Sequence, residues 1–185
     1  MKTMNILDYM QEHLLYLDGG MGTLLQEAGL APGEYPERWN LSHPDVIQKI
    51  QKDYIEAGSN VVATNTFGAN ALKFSQEELS EIIAAAVQNT RIARDSADAP
   101  QPKYVALDIG PRGKLLKPYG DLAFEDAVTL FAEVVRLGAA NGVDLIYIET
   151  MSDSYEAKAA VLAAKESCDL PVVVTTIFDE KGKLL

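Results

Sequence analysis

The chain has 185 residues, a formal net charge of −11, a hydrophobic fraction of 48% and one cysteine. That length carries one sizeable core, and the acidic surplus argues against nucleic acid or an anionic membrane as a partner. No apolar run reaches a membrane span, the N-terminus has no secretory apolar region, and the lone Cys168 permits no internal disulfide, so a cytoplasmic protein is expected.

Residues 4–14 have the spacing of a short amphipathic helix, leading into an apolar strand, Leu14-Leu15-Tyr16-Leu17, that ends in Asp18. Gly19-Gly20-Met21-Gly22 follows, then a helical run, Thr23-Leu24-Leu25-Gln26-Glu27. Glycine lets a ligand approach the main chain, and a helix start leaves free N–H groups for an anion. Asp18 would receive a cation, so the two halves together suit a zwitterion such as an amino acid. A tight strand-to-helix turn without a ligand is the plain alternative.

The loop Ala31–Asn40 is rich in turn formers and carries Trp39, the only tryptophan. Two roles fit that ring, a hydrophobic plug tying the loop down or a lid over a ligand. Ser42-His43-Pro44-Asp45 opens a helix that Gly58 ends. The next strand, Asn60–Gly68, turns polar at Thr64 and Asn65. Ser75-Gln76-Glu77-Glu78 has the form of a capping box for a helix carrying Leu79, Ile82, Ile83, Ala86 and Val87. A strand over Tyr104–Gly110 contains Asp108 and runs into a loop over Pro111–Asp121. A helix over 124–141 precedes the strand Leu145–Thr150, whose end carries Glu149. Asp153 caps a helix to about Ser167, and the strand Pro171–Phe178 follows.

Strands apolar almost throughout, alternating with helices, predict a parallel sheet with helices outside. Asp18, Thr64, Asp108 and Glu149 close successive strands, with Thr175 a fifth candidate. Polar groups gathered at carboxyl strand ends are the pattern of a (β/α)₈ barrel, with a doubly wound sheet as the other option. Five strands fall short of a barrel, which runs to about 250 residues. The expectation is therefore a TIM-type barrel truncated to its first five βα units, residues 1–185 forming the N-terminal part of one domain. Its open sheet edges would invite a homodimer.

Several stretches resemble one family, the homocysteine S-methyltransferases, and most nearly the homocysteine-binding module of cobalamin-dependent methionine synthases. They are Leu17-Asp18-Gly19-Gly20-Met21-Gly22-Thr23, Pro36-Glu37-Arg38-Trp39-Asn40, Glu56-Ala57-Gly58-Ser59-Asn60, Thr64-Asn65-Thr66-Phe67-Gly68-Ala69-Asn70, Asp108-Ile109-Gly110-Pro111 and Ile148-Glu149-Thr150-Met151-Ser152-Asp153, in that order. One departure is Arg112, where many members carry threonine. The resemblance implies the barrel fold and methyl transfer to the sulfur of homocysteine, giving methionine. It implies that Asp18 and Gly19 contact the amino acid, Gly19 through its N–H. Thr64 would add a hydroxyl, and Glu149 would hold the ammonium. Trp39, Asn65 and Asp108 would form a lid or an outer layer.

The resemblance further implies zinc, held by three cysteines, to bind and deprotonate the sulfur, and cobalamin as methyl carrier. Folate- and corrinoid-binding modules would be partners in the parent protein. Those cysteines are expected beyond residue 185, so no metal ligand and no catalytic residue is expected within this chain, which alone would be inactive. Cys168 ends a helix on the opposite face, and His13 and His43 have no metal-ligand spacing. The motifs around Lys114-Leu115-Leu116 and Gly120-Asp121 favour a corrinoid donor, with betaine or a methylsulfonium left open. The alternative is a non-catalytic amino-acid-binding or assembly module completed by another chain. A Schiff-base enzyme lacks its lysine, since Lys103 precedes its strand.

Overall fold

The computed structural model describes residues 5–184. Helix α1 spans Ile6–Glu12, capped by Asn5, whose side chain accepts the Leu7 N–H at 2.8 Å; the expected start at Met4 lies outside the described residues. Helices α2 (Met21–Glu27), α3 (Trp39–Ser42) and α4 (Pro44–Glu56) follow, with a 3₁₀ turn at Pro36–Arg38. Strands β1 (Val61–Ala63), β2 (Tyr104–Ile109), β3 (Leu145–Met151) and β4 (Val172–Thr176) then alternate with α5 (Gln76–Ser96), α6 (Phe124–Ala140) and α7 (Ser154–Ser167).

The four strands form one parallel sheet in the order β1-β2-β3-β4. Each strand lies beside the next in sequence, the progression of a (β/α)₈ barrel. A doubly wound sheet would reverse its order. The first expected strand differs. Leu14–Leu17 contributes one parallel bridge, Leu17 to Val61. Tyr16 adds its carbonyl, accepting the N–H groups of Asn60 and Val61, and its own N–H donates to the Asn60 side chain at 3.0 Å. This segment has one flank paired and a glycine turn at its end, so it never accumulates a ladder. Leu14 is 74% exposed.

The two faces of the sheet bury different residues because side chains alternate along a strand. Val105, Leu107, Ile109, Ile146 and Ile148 pack outward under α5, α6 and α7. Gly138 of α6 lies against the Leu107 side chain, where a Cβ would collide. The other face starts apolar, with Val61, Tyr104, Ala106, Leu145 and Tyr147 packed over Ile6 of α1. Moving toward the carboxyl ends it becomes polar, at Asp108 and Glu149. The caps follow the local sequence: the Ser75 side chain accepts the Glu78 N–H and the Asp153 side chain accepts the Tyr155 N–H, satisfying donors at the starts of α5 and α7.

Candidate active site

A cavity of about 440 Å³ opens at the carboxyl ends of the strands. That volume suits a small molecule. Its wall includes Asp18, the Gly19–Gly22 turn, Thr64, Asn65, Asp108 and Glu149, so the structure brings together the four residues proposed for binding and two of the three proposed around them. Trp39 is not in this wall. It is 6% exposed, packed with Leu25, Leu30, Ile47 and Ile50 and stacked on His43 at 4.1 Å. It fastens the loop to α2 and α4.

Asp18 stands where the first strand gives way to the glycine turn. Its Oδ2 accepts the Ala63 N–H at 2.8 Å, taking the place of a backbone acceptor at the end of β1. Burial pushes this carboxyl up to about 6; the Ala63 N–H opposes the rise and the Glu149 charge adds to it. Gly19 is needed for close approach: a Cβ there would lie 2.8 Å from the Tyr54 hydroxyl. That hydroxyl donates to the Gly20 carbonyl at 3.0 Å and so holds the turn. Gly20 caps α2 with no side-chain acceptor, and the first N–H groups of a helix have no intrahelical partner.

Thr64 is fastened on all sides. The Thr66 hydroxyl donates its one proton to the Asp108 carbonyl at 2.7 Å. In the 2.7 Å contact between the two threonine hydroxyls, Thr64 must therefore be the donor. The Thr64 oxygen also accepts the Asp108 N–H at 3.1 Å. One lone pair remains, so Thr64 has an acceptor to offer and no donor. Asn65 is similarly occupied, with its Nδ2 donating to the Pro36 carbonyl and its own carbonyl accepting from Asn40, each at 2.8 Å.

Glu149 follows Tyr147 on the cavity face, and just there β3 becomes irregular. Ile148 pairs with Val174, but the next partners are Met151 and Thr176, so two residues of β3 face one of β4. This is a β-bulge. Thr150 absorbs it with φ of 59° and donates its N–H to Thr175 Oγ1 at 3.1 Å. A β-branched residue in the left-handed region is strained by about 1–3 kcal/mol. The insertion leaves Glu149 on the cavity side and returns Met151 to the helix-facing core. The Tyr147 hydroxyl, two residues earlier, is pushed up to about 12, first by burial and further by Glu149 and Asp108.

Sequence reasoning assigned no role to Glu37. It is 4% exposed, its Oε1 accepts the Gly68 N–H at 2.7 Å, and its Oε2 has no partner among the described residues. It lines the same cavity. The available signal was an acid between Pro36 and Arg38 in a motif already singled out. The cavity wall thus holds four carboxyl groups and no lysine, arginine or histidine. Such a site favours a cation and raises the pKa of any thiol placed in it. Among the described residues no group of three His, Cys, Asp or Glu side chains is arranged to hold a metal. Cys168 ends α7 ahead of β4, with its thiol against the Ala164 carbonyl.

The family profile described as homocysteine S-methyltransferase matches residues 15–185. Methionine synthase of Mycobacterium tuberculosis (strain ATCC 25618 / H37Rv) is 31% identical over 197 residues, covering 98% of this chain and 16% of the relative. Methionine synthase of Mycobacterium leprae (strain TN) is 30% identical, with the same coverage. The chain therefore spans about a sixth of the length of these curated relatives. Among solved structures, the oxidised form of the homocysteine methyltransferase MmuM from Escherichia coli matches with a TM-score of 0.83 at 22% identity, covering 97% of this chain and 67% of that one. The metallated form matches with a TM-score of 0.82 at 20% identity, covering 96% and 68%. These structural likenesses establish the fold, a portion of a (β/α)₈ barrel. With the profile match running over nearly its whole length, the chain belongs to the homocysteine S-methyltransferase family.

Proposed function

We propose that this chain forms the amino-acid-binding part of a homocysteine S-methyltransferase of the methionine synthase type. One observation carries the reading: in a chain of this family, Asp18, Thr64, Asp108 and Glu149 converge on one cavity of small-molecule size at the carboxyl strand ends. Glu149 receives the ammonium of homocysteine, with Asp18 as a second counter-charge and the free lone pair of Thr64 as an acceptor. The carboxylate of homocysteine lies toward the glycine turn, where the Gly19 N–H receives it.

The chemistry requires a sulfur nucleophile, and the residues of this chain do not make one. An acid-rich wall holds a thiol protonated. The family resemblance implies zinc for activating the sulfur and cobalamin as the methyl carrier. The described residues do not fit a zinc site. This chain's own contribution is to bind and orient the amino-acid head, the sulfur being activated by groups from elsewhere in the protein. On this reading residues 1–185 are the N-terminal part of the homocysteine-binding domain, and the chain alone does not turn over. Corrinoid- and folate-binding modules are the proposed partners. The partly exposed β4, with Val174 at 38%, and the Leu14–Leu17 segment are the proposed edges for a second copy or a completing segment. Among the described residues no helix is long and apolar enough to cross a membrane, which accords with a cytoplasmic setting.

Isothermal titration of the chain with L-homocysteine tests the reading. Binding is expected, with Glu149→Gln weakening it by about 10- to 100-fold, the range for a hydrogen bond to a charged group. Equal binding by wild type and Glu149→Gln would refute it.

A further inference from the structure

One carboxyl group of the cavity sits too deep to be explained by the ammonium alone. Asp108 is 7% exposed, and its Oδ1 has no hydrogen-bond partner among the described residues. Asp108 pairs across the sheet with Tyr147, and Glu149 is the next residue of β3 on the same face. The Asp108 and Glu149 carboxyl groups thus share one wall of the cavity, diagonal to each other across the β2–β3 pair. Ionised carboxylates are acceptors only, so two such neighbours can hydrogen-bond only if one of them keeps its proton.

The surroundings decide which member holds it. Glu149 and Tyr147 face Asp108 from β3, Asp18 from the turn before α2, and Glu37 from the 3₁₀ turn. Arg112, from the loop after β2, is a cation that feels the Asp108 charge. Its guanidinium is committed elsewhere: it lies 4.2 Å from the centre of the Phe131 ring and donates to the carbonyls of Ala69 and Gly110. Among the described residues Asp108 makes no ion pair within 4 Å. An enclosed, unpartnered oxygen is tolerable on a neutral acid and costly on an anion. Glu149 is half-buried and reaches the cavity.

We propose that Asp108 is held as a neutral carboxylic acid that donates to Glu149, and is thereby a positioning residue for the ammonium-binding carboxylate. One Glu149 oxygen is fixed by that proton, and the other is left for the ligand. The inference rests on the proposed function for its ligand, but the proton itself does not. Burial first, then the charges of Glu149 and Asp18, holds the Asp108 carboxyl well above the usual carboxylate range. The same arrangement keeps three close acids from repelling one another as three full charges.

Two measurements test this. The first is carbon-13 NMR of the unliganded chain labelled at its aspartate carboxyls, titrated from about pH 5 to about pH 9, a window above the ordinary carboxylate range. The Asp108 signal is assigned by its loss in Asp108→Asn. It is expected to keep its protonated position at neutral pH and to titrate above it. A signal already ionised at about pH 6 would overturn the proposal. The second is titration with L-homocysteine. Asp108→Leu, which has the shape without the donor, is expected to bind about 10-fold more weakly. Asp108→Asn, whose amide N–H replaces the O–H donor, is expected to restore affinity to within about 3-fold of wild type. Equal losses in both variants, each folded by its NMR spectrum, would overturn the positioning role. If Asp108→Leu does not fold, the carboxyl titration still decides the proton. If wild type binds no homocysteine, the proposed function falls while the titration still reads Asp108.

Discussion

Asp18→Asn is expected to stabilise the chain, and only above a defined pH. The Asp18 carboxyl rises from its ordinary 3.8 to about 6 in the folded chain, with burial as the main cause. The folded state therefore binds this proton more tightly than the unfolded state. Stability from this group is complete below about pH 3.8 and is lost as the pH rises through about 6. Above that, keeping the buried carboxylate ionised costs about 3 kcal/mol. This is a large share of the roughly 5–15 kcal/mol that holds a typical domain folded. Asparagine retains an oxygen for the Ala63 N–H and carries no charge, so the variant keeps the hydrogen bond and sheds the penalty. Urea unfolding at a series of pH values should show a gain of up to about 3 kcal/mol near pH 7.5 that shrinks toward zero near pH 4. A gain independent of pH, or a loss at neutral pH, would refute the reasoning. The same variant should bind homocysteine more weakly, so stability and recognition would move in opposite directions.

Two further substitutions separate the site from its supports. Gly19→Ala places a Cβ 2.8 Å from the Tyr54 hydroxyl, so the ring must move and release the Gly20 carbonyl. Homocysteine affinity by titration should fall about 10-fold, with Tm little changed because Tyr54 sits at the surface edge of the turn. Trp39→Ala empties a packed position between α2 and α4 and should cost about 3–5 kcal/mol in urea unfolding. A loss below about 1 kcal/mol would show that the ring is not the plug its packing implies.

Local chemistry made much of the architecture legible. Ser75 and Asp153 announced the starts of α5 and α7, because capping is written into three or four consecutive residues. The apolar runs around Ile109 and Ile148 announced buried parallel strands, and the acids at Asp108 and Glu149 marked their polar ends. What stayed hidden depended on partners distant in sequence. Glu37 reads as an ordinary loop acid until Gly68, far along the chain, donates to it inside the fold. Thr64 reads as a free hydroxyl until Thr66 and the Asp108 backbone consume it. Leu14–Leu17 has strand composition, but a ladder needs a neighbour, and the segment keeps a single bridge. The placing of Asp108 and Glu149 on one cavity wall joins two strands and is invisible to either run alone.

The doubled step at Glu149 and Thr150 acts on parity. Along a strand, odd and even positions belong to opposite sides, and one supernumerary residue exchanges the two for everything downstream. Were Thr150 instead taken up into a regular ladder, the Met151 thioether would turn toward the cavity. The left-handed threonine is thus a hinge of address: it decides which residues after Glu149 speak to the ligand and which to the helices.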